Sequence, residues 1–193
     1  MTGPEFRPDW NQLFETAAAQ EGLFTSRQAA GIGYSPQHLA YHLRAGNVQR
    51  LQRGIYRLVH FPAGENEELV AAWLWSEQAG VISHQTALAL HNLSDAMPTR
   101  IHLTLPEKWR QRRFRVPPSL MLHHSDVPAE DRTWFGAVPI TTPARSLNDC
   151  ARKGLSPELL QQAARQALRR GLLTRAALTD VEAALQPFGG LAA

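Results

Sequence analysis

Apolar residues at Trp10, Leu13, Phe14, Ala17 and Ala18 follow the i, i+3, i+4, i+7, i+8 spacing of one helical face. Pro8 near the start and Gly22 past the end bound the predicted helix. Thr25, with Gln28 three residues later, matches a capping box and predicts a short second helix. Gly31 and Gly33 bracket the turn that stops it. Ser35 then suits an N-cap, Pro36 a first helical position and Gly46 a left-handed exit, so a third helix spans this stretch. Leu39 and Leu43 lie four apart and face inward, which leaves Gln37, His38, Tyr41, His42 and Arg44 on the other faces. "VQRL" and "IYRL", joined by "QRG", predict a tight hairpin.

The remainder is mixed. "ENEELVAAWLWSEQAG" is a helix capped by Asn66, with Glu67 and Glu68 at its positive end and Val70, Trp73 and Leu74 as its buried stripe. "VISHQTALALHNL" reads as a strand entering a helix. In "IHLTLP", Ile101, Leu103 and Leu105 alternate with His102 and Thr104 as a half-buried strand. "SLMLHHS" and "GAVPIT" are further strand candidates. Thr142–Pro143 and Ser156–Pro157 each open a helix, closed by Gly154 and Gly171, and a last helix starts from Thr174. The linker-like "HFPAG" (60–64) places a domain boundary there, with 1–62 and 63–193 as the two parts. The fold class is α+β: an N-terminal winged helix-turn-helix, then a mixed α/β C-terminal domain.

Composition narrows the reading. The 193 residues are 44% hydrophobic, enough for a buried core. The lone cysteine, Cys150, leaves no internal disulfide and suits a reducing compartment. No apolar run approaches a membrane span, and "MTGPEFRPDW" lacks the apolar core of a signal peptide, so a cytoplasmic protein is expected. The formal net charge is only +3, but its placement is uneven. From Gly22 to Gly64 there is no Asp or Glu, while Arg27, Arg44, Arg50, Arg53 and Arg57 all fall there. Such a segment faces a polyanion. Placed on a winged helix-turn-helix, Gln37, His38, Tyr41, His42 and Arg44 would meet base edges in the major groove of double-stranded DNA. Arg27, Arg50, Arg53 and Arg57 would meet phosphates.

"KWRQRRFR" interleaves Lys108, Arg110, Arg112, Arg113 and Arg115 with Trp109 and Phe114. Arginine beside aromatics suits a second DNA contact or a protein-partner surface. A solvated turn whose aromatics tuck into the core explains the same pattern. The eight histidines suggest no metal site from spacing: His38 and His42 lack a third ligand nearby, and His84 and His91 stand too far apart on one helix. Ser83 and His84 are adjacent, and neighbours in a chain seldom form a nucleophile–base pair. There is no G-x-S-x-G elbow, no glycine-rich phosphate loop and no His-Glu-x-x-His. The sequence therefore predicts no catalytic residues, no metal and no cofactor.

The stretch "GLFTSRQAAGIGYSPQHLAYHLRAGNVQRLQRGIYRL" resembles the N-terminal winged domain of the AbiEi antitoxins of bacterial abortive-infection toxin–antitoxin systems, with "RLQRGIYRL" the most specific piece. "SHQTALALHNLSD", "IHLTLP", "VPITTPARSLNDCA" and "ALRRGLLTRAAL" resemble that family's second domain in the same order. The resemblance implies a DNA-binding antitoxin and transcriptional autorepressor. Its C-terminal domain would counteract a toxin of nucleotidyltransferase fold encoded alongside. It maps a recognition helix to Pro36–Ala45 and a wing to Val48–Leu58. Some relatives continue into a Vsr-like nuclease, whose Glu-x-Lys motif the adjacent Glu107 and Lys108 do not supply. A stand-alone regulator with a ligand-sensing or dimerising second domain would share the same residues. A nucleic-acid enzyme is the third reading.

Overall fold

A computed structural model describes residues 8–94 and 98–191. The chain divides into two compact units, Met1–Gln78 and Ala79–Ala193.

In the first unit, helix α1 (Trp10–Ala18) starts where the Asp9 side chain accepts the Gln12 N–H at 3.1 Å. Of its apolar stripe only Leu13 and Ala17 are buried, while Trp10 and Phe14 remain more than a third exposed. Strand β1 (Leu23–Thr25) follows, which the sequence pattern did not mark because three residues are too few to show alternation. Helix α2 (Ser26–Gly31) opens with the expected capping box between Thr25 and Gln28. Helix α3 (Pro36–Arg44) opens on Ser35, whose hydroxyl accepts the His38 N–H while His38 Nδ1 accepts the Ser35 N–H. The wing is β2 (Val48–Gln52) and β3 (Ile55–Leu58), and β1 completes an antiparallel sheet in the order β1-β3-β2.

The register slips between Arg50 and Gln52, and Leu51 is left 38% exposed on the wing. Gly54 closes the hairpin with φ +80°, a left-handed conformation that glycine adopts without a Cβ penalty. Its carbonyl accepts the Ser26 N–H at 2.9 Å, tying the wing tip to the start of α2.

Helix α4 (Glu67–Trp75) packs on β1 and β3 and so belongs to this unit, although the sequence places the boundary near residue 62. The "HFPAG" segment turns within the unit: Arg57 Nη2 donates to the Phe61 carbonyl, and Glu21 Oε2 accepts the Asn66 N–H. Asn66 precedes α4 without making a side-chain cap. The buried Gln20 joins the end of α1 to α2 and to the residues after α4. Its side chain donates to the Leu23 carbonyl at 3.0 Å and accepts from Gln28 Nε2 at 2.8 Å and Gln78 Nε2 at 3.0 Å. A buried amide with its donors and acceptors matched in this way specifies one arrangement of the three elements.

The second unit holds β4 (Val81–Ile82), α5 (His84–Leu90), β5 (Ile101–Leu105), β6 (Leu120–His124), β7 (Arg132–Phe135), β8 (Val138–Thr141), α6 (Pro143–Arg152), α7 (Pro157–Arg169) and α8 (Thr179–Leu185). Its mixed sheet runs β6-β5-β4-β8-β7, with β5–β6 and β4–β8 parallel and the other pairs antiparallel. The last helix begins at Thr179, not Thr174. A short 3-10 turn (Arg175–Ala177) fills the gap. Leu147, Leu160, Ala163, Ala164, Ala167, Leu178, Val181 and Leu185 form a helical core with no exposed surface above 1%. Strand β5 lies inside the sheet, between β6 and β4, and Thr104 is buried at 2% and His102 half-buried, where a strand solvated on one face would have left both exposed. Cys150, also in the core, has its thiol pushed up to about 12 by burial and the Asp149 charge, which keeps it protonated and inert.

Candidate nucleic-acid interface and a second polar site

Capping and burial decide which side chains of α3 are displayed. Leu39 is buried and Leu43 packs against the same core, so the expected inward pair is observed. Gln37, His38, Tyr41 and Arg44 are exposed, Tyr41 at 60%. His42 is not part of that open face. Its ring stacks on Trp10 at 4.8 Å, Nδ1 meets Asn47 Nδ2 at 3.1 Å, and it lies against Tyr34. Burial, then the neighbouring His38, holds its pKa below the ordinary value. The i+4 spacing from His38 does not distinguish these fates. Contact with α1 does.

The phosphate candidates divide likewise. Arg50 and Arg53 are exposed on the wing, and neither makes an ion pair among the described residues. Arg27 is exposed on α2 and comes within 3.7 Å of Glu77. Arg27 and Arg53 line one cleft of about 600 Å³ with Thr25, Gln28 and Trp75. Arg57 points elsewhere: its side chain is 18% exposed and its Nε lies 3.0 Å from Glu67 Oε2. It serves the contact of β3 with α4 and drops out of the phosphate-facing set. The acid-free segment of the sequence is therefore not acid-free in space, because α4 and the residues after it return Glu67 and Glu77 to it.

The basic stretch 108–115 is a 3-10 turn (Glu107–Trp109) and loop between the parallel strands β5 and β6. Arg110 is engaged locally. It donates to Glu107 and to the His124 carbonyl, which lowers the Glu107 pKa and raises its own, mainly through their hydrogen bond. The Arg112 guanidinium lies over the Trp109 ring at 4.4 Å and the Phe114 ring at 5.1 Å, two cation–π contacts from one side. Lys108, Arg113 and Arg115 are exposed and make no ion pair among the described residues.

A second site, invisible to the spacing arguments, lies in the C-terminal unit. A pocket of about 550 Å³ is lined by Arg145, Asn148, Asp149, Arg152 and Lys153 of α6 and its end, with His84 and Thr104 on its wall. Arg145 donates to Asp149 at 3.0 Å, to Asp131 at 2.8 Å and to Ser125 at 2.9 Å. Burial disfavours its charge, but the bonds to Asp131 and Asp149 more than offset this and raise its pKa. Arg152 bridges Asp149 and Asp180.

Beside the pocket, His84, His102 and His123 converge, with one ring nitrogen of each within 4.8 Å of the others. The His84 and His123 rings stack at 3.5 Å, and His102 Nδ1 meets His123 Nε2 at 3.1 Å. Burial first, then the neighbouring histidines, lowers His84 to about 2 and His123 to about 4. Ser83 and His84 do meet, Oγ to Nδ1 at 2.9 Å, but Ser83 is fully buried and takes a hydrogen bond from Thr104 Oγ1, so it presents no nucleophile to solvent. Alternation puts His102 on the non-core face of its strand. Only the pairing of β5 with β6, which sets His123 opposite Thr104, brings His123 to it.

The three-stranded sheet, the tight α2–turn–α3 pair and the hairpin define the first unit as a winged helix-turn-helix. Residues 11–59, from α1 to the end of the wing, match the family model described as "Transcriptional regulator, AbiEi antitoxin", the family the sequence resembles. A search of curated proteins finds no match. Among solved structures, the RV2827C protein from Mycobacterium tuberculosis is similar at 15% identity and a TM-score of 0.49, over 99% of this chain and 82% of that one. Among the described residues, no helix is long and apolar enough to cross a membrane.

Proposed function

We propose that the protein is a cytoplasmic DNA-binding antitoxin that represses its own toxin–antitoxin operon. In this reading α3 enters the major groove of operator DNA. Gln37, His38, Tyr41 and Arg44 meet base edges, and Arg27, Arg50 and Arg53 hold phosphates. The observation that carries it is the displayed face of α3 beside a wing whose Arg50 and Arg53 have no acidic partner among the described residues. An exposed arginine pair on a module matched to a regulator family is best explained by a polyanion. The second unit would take the partner, a toxin of nucleotidyltransferase fold, with Lys108, Arg113 and Arg115 as a partner surface or second DNA contact.

The test is binding to the DNA upstream of the protein's own gene against scrambled DNA, across a salt series. Tighter binding to the upstream fragment with a steep salt slope is expected. Equal weak binding to both would overturn the operator reading. The polar pocket of the second unit favours one other reading, a stand-alone regulator that senses a small ligand. Rescue of growth on co-expression with the neighbouring toxin gene supports the antitoxin, and failure of rescue supports the sensor.

A further inference from the structure

We propose that His84, His102 and His123 form a binding site for one first-row transition-metal ion of the zinc class, held by imidazole nitrogens. The three ligand atoms already lie within 4.8 Å of one another. A tetrahedral ion with bonds of about 2.0–2.1 Å separates its ligand nitrogens by roughly 3.4 Å. His102 Nδ1 and His123 Nε2, at 3.1 Å, are close to that separation. On metal binding the donor of that pair keeps one proton, moved to its opposite ring nitrogen, so both imidazoles stay neutral. His102 Nε2 and His123 Nδ1, the opposite nitrogens, have no protein partner among the described residues.

His84 is delivered by strained backbone. It sits at the junction of β4 and α5 with φ +51°, a left-handed value that a side chain with a Cβ adopts at a cost. That turn brings its ring face to face with His123 at 3.5 Å, and one of the two rings rotates out of this stack when both point a nitrogen lone pair at one ion. His84 Nδ1 faces Ser83 Oγ, which also accepts from Thr104 Oγ1 at 2.7 Å; with Nδ1–H as the donor to Ser83, His84 Nε2 keeps its lone pair for the ion. An outer hydrogen bond that fixes the tautomer and ring of a ligating histidine is what such sites use. Three imidazoles and no carboxylate favour Zn²⁺, Co²⁺ or Ni²⁺ over Mg²⁺ or Ca²⁺. The site shares His84 with the wall of the polar pocket.

The test uses the full chain, stripped with chelator and titrated with Co²⁺. A tetrahedral Co²⁺ absorption spectrum at one ion per chain, displaced by Zn²⁺ and not by Mg²⁺, is expected. His123→Ala and His102→Gln should each abolish it. His124→Ala, the next residue on the other face of β6, should retain it. No tetrahedral spectrum from the parent protein, or one unchanged by His123→Ala, overturns the proposal. Should both variants fail to fold by circular dichroism, protection of His123 from diethylpyrocarbonate by Zn²⁺ in the parent protein decides. Protection supports the site and equal modification overturns it.

Discussion

In the first unit Arg50 and Arg53 stand exposed on a hairpin with no acid paired to them among the described residues, whereas in the second Arg145 is 13% exposed and clamped between Asp131 and Asp149. The residue type is the same and the physical setting is opposite. An exposed guanidinium keeps its hydration and its field, so it is free to displace counterions from a phosphate backbone. A buried one has lost its water and is tolerable only with carboxylates and hydroxyls saturating its donors. The contrast teaches that a count of arginines along the chain says little until each has been assigned to one setting. Arg57, inside the acid-free segment yet paired with Glu67, shows how such a count misleads.

The most severe way to break the contrast is Arg145→Ala. It leaves Asp149, 5% exposed, short of its main partner, and should cost about 3 kcal/mol of stability by urea unfolding. A loss within a few tenths of a kcal/mol would mean Arg152 alone suffices for Asp149. On the other side, Tyr41→Ala should leave the fold unchanged, because the ring is 60% exposed. Affinity should fall by about 1–3 kcal/mol at particular base pairs only. An equal loss on every sequence would remove Tyr41 from base readout.

Arg57→Ala and Arg53→Ala sharpen the comparison within one hairpin. The first should lower stability by roughly 1–2 kcal/mol, since it strands Glu67 and the Phe61 carbonyl, and leave the salt dependence of DNA binding alone. The second should leave stability alone and reduce the salt slope by about one counterion. Exchange of these two phenotypes would reverse their assignments.

The smallest effect is a pH dependence from His42. Its folded pKa is depressed, so the unfolded chain takes up a proton that the folded ring refuses. Stability from this group is full above the unfolded value of about 6.5 and is lost as pH falls toward the folded value. Replacing His42 with Asn should flatten the slope of stability between neutral and mildly acid pH. An unchanged slope would show that the Trp10 stack does not exclude the charged ring.

Local signals were legible wherever the chain writes them in consecutive residues. The Thr25–Gln28 and Ser35 caps, Pro36, Gly54 and the paired apolar runs of the hairpin are each legible in the sequence and each recur in the fold. Strands of two or three residues, such as β1 and β4, carry too little pattern, though "VISHQ" still showed the strand-to-helix step. Within the interface, exposure of Gln37, Tyr41 and Arg44 followed from the positions of Leu39 and Leu43. The fate of His42 did not, because Trp10 is over thirty positions away and helical periodicity is blind to it.

By itself the sequence determined the helices and hairpin of the winged module and the concentration of arginines on it, because caps, turn glycines and periodicity act over a few bonds. Only the tertiary structure decided which arginines are paired and which histidines converge. His84, His102 and His123 come from a helix start and two strands, and their meeting depends on the register of β5 with β6 and on the left-handed turn at His84. Neither is encoded in spacing. Both arise when distant segments bury a common face and the chain accepts local strain for the packing gained.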